Sequence, residues 1–192
     1  MKRTIILLIA AFLASGITGF AQDYKVNAEK STVRWTGKKV GKNHTGKIAL
    51  KEGNFTLKDG KFIDGQFIID MNAMTNEDLT DPEWNAKLIG HLKSDDFFSV
   101  EKYPVSTLKI KESTQFEKDE ATVTADLTIK GLTHPVTFKV KRIGDVFQAS
   151  VVFDRSKYDV KYASGKFFAS LGDNAIDDMI PIDVTLLAIA AK

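Results

Sequence analysis

The chain has 192 residues, no cysteine, and 27 Lys plus Arg against 25 Asp plus Glu. Disulfide stapling and thiol chemistry are excluded, and a charge balance this even asks for no nucleic-acid partner. Thirteen Phe, four Tyr and two Trp supply enough aromatic mass for one substantial core.

Residues 1–21 read as an export signal. Lys2 and Arg3 form a positive start, Ile5 to Leu13 is an uncharged apolar run, and Gly19-Phe20-Ala21 puts small residues where a signal peptidase reads. The run falls short of the roughly 20 residues that a membrane span needs. With no cysteine beside the cleavage site, a lipid anchor is ruled out. The mature chain is therefore expected to be residues 22–192, periplasmic or secreted, with no stable membrane insertion. Losing Lys2 and Arg3 makes it nearly neutral, so the sequence pI of 8.6 belongs to the precursor.

Strands come next. From Thr32 to Val40, Val33 and Trp35 alternate with Arg34 and Thr36. The runs Gly46–Leu50, Asn54–Leu57 and Lys61–Met71 follow, punctuated by Glu52-Gly53, Asp59-Gly60 and Asp64-Gly65. Such steps between alternating runs predict tight hairpin turns. Gly65, Phe67, Ile69 and Met71 share a face opposite Gln66, Ile68 and Asp70.

One helix interrupts the strands. Thr80 or Asp81 can cap it, Pro82 suits its first turn, and Glu83 would complete a Thr-x-x-Glu capping box. Trp84, Leu88 and Leu92 recur every fourth residue and predict one apolar stripe, bordered by His91. Ser94 can cap a further short turn that sets Phe97 beside Phe98.

From Val105 the strands resume. Val123, Ala125, Leu127 and Ile129 face one way; Val136, Phe138 and Val140 form a second such row; Phe147, Ala149, Val151 and Phe153 form a third. Ile182 to Ile189 closes the chain. Period-2 alternation repeated this often implies a sheet with one dry face. So little helix cannot cover it, and closure of the sheet on itself would also remove its exposed edges. The predicted fold is all-β: a lipocalin-like, extended antiparallel barrel of about eight strands, with one short helix alongside. A two-sheet sandwich is the alternative.

No catalytic constellation emerges. His44, His91 and His134 occupy separate elements with no His-x-His or His-x-x-x-His pairing, so they read as surface or capping residues rather than zinc ligands. Asp173, Asp177 and Asp178 lack the ligand spacing of a calcium loop. No nucleophile elbow, phosphate loop or dinucleotide fingerprint is present, so neither an enzyme nor a cofactor is predicted.

The segments His91-Leu-Lys-Ser-Asp-Asp-Phe-Phe98, Lys102-Tyr-Pro104 and Asp126-Leu-Thr-Ile-Lys-Gly-Leu-Thr-His-Pro-Val136 resemble the YceI-like family. The likeness runs from about Tyr24 to the final strand. It implies an eight-stranded barrel with a helix alongside and a lengthwise tunnel holding a long-chain isoprenoid or similar amphiphilic lipid. It brings no catalytic residues. Between Phe138 and Phe153 this chain is compact where some relatives carry a longer hairpin, a difference expected to bear on the ligand's mouth.

The candidate tunnel lining follows from the dry faces: Trp35, Ile48, Phe67, Ile69, Met71, Val123, Leu127, Phe138, Val151 and Phe153, with His91, Leu92 and Phe97 from the helix and the turn after it. Alternation alone leaves open whether these residues surround a hollow that holds lipid or fill the barrel of an interaction module. A homodimer is the one protein assembly this reading leaves open.

Overall fold

The computed structural model describes residues 20–191, so the export-signal reading falls almost wholly outside the described residues. Eight antiparallel strands close into a barrel in simple sequence order, β1 pairing with β8. They are β1 (Gln22–Lys39), β2 (Lys42–Lys58), β3 (Lys61–Asp70), β4 (Val105–Ser113), β5 (Glu120–Ile129), β6 (Leu132–Ile143), β7 (Val146–Asp154) and β8 (Met179–Ala190). The helix α1 (Pro82–Lys93) lies in the connection between β3 and β4.

The predicted alternation sets the inside of this barrel. Val33 and Trp35, Ile48 and Leu50, Val123 and Ala125, and Val151 and Phe153 are all buried, while their sequence neighbours turn to water. Closure covers most strand edges, but β6 and β7 pair only from Val140–Ala149 to Ile143–Val146, and beyond that the two strands are not hydrogen-bonded to each other.

The two ends differ. At one, two-residue turns join β2 to β3 and β6 to β7 and residues 114–119 join β4 to β5, with the start of β1 and the end of β8 alongside. Asp59 and Gly60, both at positive φ, make the β2–β3 turn a two-residue hairpin, the geometry that a pair such as Asp-Gly adopts at low cost. At the other end lie the β1–β2 and β5–β6 hairpins and both long connections, Met71–Pro104 and Arg155–Asp178.

Two predicted turns are strand instead. Glu52-Gly53 lies inside β2 and Asp64-Gly65 inside β3. A Cβ on Gly53 would come within 2.9 Å of the Phe67 ring, and one on Gly65 within 2.8 Å of Ile110 and 2.9 Å of Phe55. These glycines make room for side chains of neighbouring strands and do not reverse the chain.

The helix also departs from expectation. Asp81 is its cap, accepting from the Glu83 and Trp84 N–H groups at 2.9 and 3.0 Å. The predicted box does not form: with Asp81 as the cap Glu83 is the second helical residue, and it pairs with Lys87 at 2.7 Å. Leu88 and Leu92 turn toward the barrel. Trp84 is 61% exposed, and the Lys87 ammonium sits 4.7 Å from its ring centre. The helix covers one end of the barrel, so only its later turns meet apolar surface.

Candidate functional site

The barrel interior is hollow. A cavity of about 290 Å³ runs from the aromatic side chains of Phe55, Phe62 and Phe147 to the β1–β2 hairpin, and every strand contributes to its wall. Those walls are the inward rows of the alternation, so the same period that closes the fold lines the cavity.

The tight-turn end is packed with rings. Tyr24 stacks on Phe55 at 4.9 Å; Phe55 meets Phe62 and Phe147 edge-on at 5.2 and 4.9 Å; Phe116 adds a contact to Phe62 at 5.5 Å. Arg142 lies over Tyr24 and Phe147 and donates to the Tyr24 hydroxyl at 3.1 Å. Edge-to-face packing of this kind fills a cross-section that aliphatic side chains would leave porous. The compact β6–β7 hairpin lies at this end, so it does not shape the mouth as the sequence comparison suggested.

The opposite end is the mouth. Leu88 and Leu92 from α1, Phe97 and Phe98 from the turn after it, and Met71 and Met74 from the preceding connection surround it. A strap, residues 74–78, continues the wall where β3 stops. The Thr75 and Glu77 N–H groups donate to the Lys47 and Thr45 carbonyls at 2.8 and 2.9 Å. The Trp35 indole N–H donates to the Thr75 carbonyl at 3.0 Å. Gly46 is required here, since a Cβ would overlap that same carbonyl.

Polar groups on the lining are few, and most are satisfied. Ser106 donates to the Met71 sulfur at 3.1 Å. Arg155, 1% exposed, donates to the carbonyls of Val160, Tyr162, Ile176 and Asp177 at 2.8–3.1 Å and so ties down the second long connection. Burial pulls the Arg155 pKa below its usual value, opposed by the charges of Asp178, Asp177 and Asp154. Tyr158, packed beside it against Phe153 and His134, has its phenol pushed up to about 12, chiefly by burial. His44 reaches the cavity with its Nδ1 held 2.7 Å from Asp78. Burial acts to raise the Asp78 pKa, but the Thr45 N–H, His44 and Asn76 together hold it below the usual carboxylate value. Lys38, Lys39 and Lys42 border the cavity at the hairpin, with carbon rather than ammonium on its surface.

The structure brings almost all the sequence-assigned lining together. Trp35, Ile48, Phe67, Ile69, Met71, Leu92, Phe97, Val123, Leu127, Phe138, Val151 and Phe153 all border the cavity. His91 is the exception. Its ring packs edge-on between Phe97 and Tyr162 at 4.9 and 4.6 Å, and its Nε2 lies 3.1 Å from Asp96, so it braces the mouth from outside. His44 and the three lysines went unassigned by sequence reading, although Lys39, Lys42 and His44 share strand parity with Trp35 and Ile48. The three histidines stand apart, and among the described residues no group of three or more His, Cys, Asp or Glu is placed to hold a metal ion.

Closed strand order, a lengthwise apolar hollow and one mouth crowned by a helix define a lipocalin-like binding barrel. The chain belongs to the YceI-like domain family, whose pattern matches residues 24–188. It is 29% identical over 155 residues to Protein YceI of Escherichia coli O157:H7, covering 75% of this chain and 74% of that protein. It is also 29% identical over 157 residues to a UPF0312 protein of Pseudomonas aeruginosa, with the same coverage of each chain. A polyisoprenoid binding domain from Saccharophagus degradans, implicated in plant cell wall breakdown, shares the fold with a TM-score of 0.59 at 16% identity, covering 88% of this chain and 98% of that one. Burkholderia cenocepacia BcnA does so with a TM-score of 0.57 at 21% identity, covering 87% and 99%.

Proposed function

We propose that the protein is an exported, non-enzymatic carrier that holds one long-chain isoprenoid or similar amphiphilic lipid in the barrel, chain inward and headgroup at the mouth. The observation that carries this reading is the cavity itself: about 290 Å³ of space inside a closed barrel, walled by aliphatic and aromatic side chains. A protein interior normally packs at crystal-like density, so an apolar void of this size costs stability unless something occupies it. The likeness to a polyisoprenoid binding domain supports an isoprenoid as the occupant. Export rests on the sequence of residues 1–21.

The test is direct loading. Tritiated geranylgeraniol, incubated with delipidated protein and passed through a sizing column, is expected to co-elute at close to one molecule per chain. Label that elutes wholly in the free fraction refutes the proposal.

A further inference from the structure

We propose that the Lys39–Lys42 end of the cavity is a headgroup site selecting an anionic oxygen headgroup, a phosphate or a carboxylate, over a neutral one; this rests on the cavity holding an apolar chain.

Val33, Trp35 and Gly37 lead inward along β1 to Lys39, and Ile48, Gly46 and His44 lead inward along β2 to Lys42. Lys39 and Lys42 are the last paired residues of the two strands and stand directly opposite each other. Like charges at facing positions of an antiparallel pair are destabilising, so local stability gives no reason to place them there.

Neither residue has a compensating carboxylate. Among the described residues Lys38, Lys39 and Lys42 form no ion pair within 4.0 Å, whereas most neighbouring charges do: Arg34 and Lys47 share Glu77, and Lys166 holds Asp154. The acidic groups nearby are already engaged. Asp78 accepts from the Thr45 N–H and Asn76 and lies against His44. Asp177 accepts from the Met179 N–H.

Lys39 and Lys42 border the apolar cavity with the carbon stems of their side chains, and ammonium groups carried on such flexible stems at a cavity end form an arrangement that an anionic amphiphile fits. The chain is buried by the hydrophobic effect, and the oxyanion supplies the charge-assisted hydrogen bonds that the lysines lack. Gly37, directly across from His44, carries no side chain and leaves the floor of that site open. A neutral alcohol or quinone headgroup would gain the first contribution and little of the second.

Geranylgeranyl phosphate and geranylgeraniol share a chain and differ only at the headgroup. The wild-type protein is expected to bind the phosphate at least about tenfold more tightly, the scale of one or two charge-assisted contacts. In K39Q/K42Q that preference should shrink below about threefold with the alcohol affinity unchanged, and in K39E/K42E it should reverse. All three lysines are exposed, so the variants should melt as the wild type does. Equal wild-type affinities for the two ligands, or a phosphate preference that survives K39Q/K42Q, overturns the headgroup site while leaving the carrier reading intact. Binding of neither ligand overturns both.

Discussion

The Arg155 guanidinium and the Asp178 carboxylate meet 3.2 Å apart with their side chains 2% and 13% exposed, pairing the start of the second long connection with its end. The contact is one of charge without an aligned hydrogen bond to that oxygen; four of the five guanidinium N–H groups go to backbone carbonyls. The arginine is thus the post around which residues 155–178 wrap, and those residues form one side of the mouth.

Replacing Arg155 with Met should therefore leave several carbonyls without this donor and the Asp178 charge with only Ser164 at 2.9 Å and Lys166 at 3.9 Å. Breaking such a pair from one side typically costs roughly 3–5 kcal/mol. Urea unfolding should show that loss, and Arg155→Lys should recover little of it, since an ammonium cannot reach four carbonyls at once. Wild-type stability in R155M would show that the connection is held by other contacts.

Acid should act on the same region through Asp154. Its pKa is below the ordinary 3.8: burial opposes the shift, but Lys166 and Ser156 outweigh it. A depressed carboxylate contributes stability that is complete above its unfolded value and is lost as pH falls through the folded one. Urea midpoints should accordingly fall as pH drops below about 4, and Asp154→Asn should flatten that dependence. An equally steep fall in D154N would assign the acid sensitivity to another carboxylate, Asp78 being next in line because its pKa is also lowered.

A hollow barrel makes an unusual prediction about overpacking. Enlarging a residue in a filled core costs typically about 1–3 kcal/mol. Val151 borders the cavity from the middle of β7, so Val151→Phe should cost clearly less than that while blocking lipid. Severe destabilisation of V151F would mean that the space beside Val151 is already filled.

Trp35 offers a built-in reporter. It is 9% exposed and borders the cavity, whereas Trp84 is 61% exposed on the outer face of the helix. With Trp84→Phe in place, lipid titration should shift or quench the remaining emission and saturate near one equivalent. Trp35 emission unmoved by bound lipid would place the lipid away from β1.

Most of the fold was legible because period-2 alternation is a strong signal when repeated along many strands. The inward rows through Val123–Ile129 and Phe147–Phe153 could be read without any structure, and they led directly to the cavity wall. What failed had local causes. The pairs Glu52-Gly53 and Asp64-Gly65 look like turns, but their glycines answer to Phe67, Phe55 and Ile110, partners distant in sequence. Trp84 falls on the helical stripe by spacing, yet the helix covers only one end of the barrel, and its first turn overhangs. His91 borders the stripe but is captured by Asp96 and Tyr162. Lys39 and Lys42 were missed because a lysine beside a Val-Gly turn reads as solvated, although strand parity already turned both inward.

The central claim is that the barrel is occupied by a long apolar chain. Protein exported and purified without detergent should be extracted with organic solvent and the extract weighed by mass spectrometry. A long-chain species, isoprenoid in its fragmentation, is expected at close to one per chain. An empty extract from protein that also refuses added lipid would contradict it.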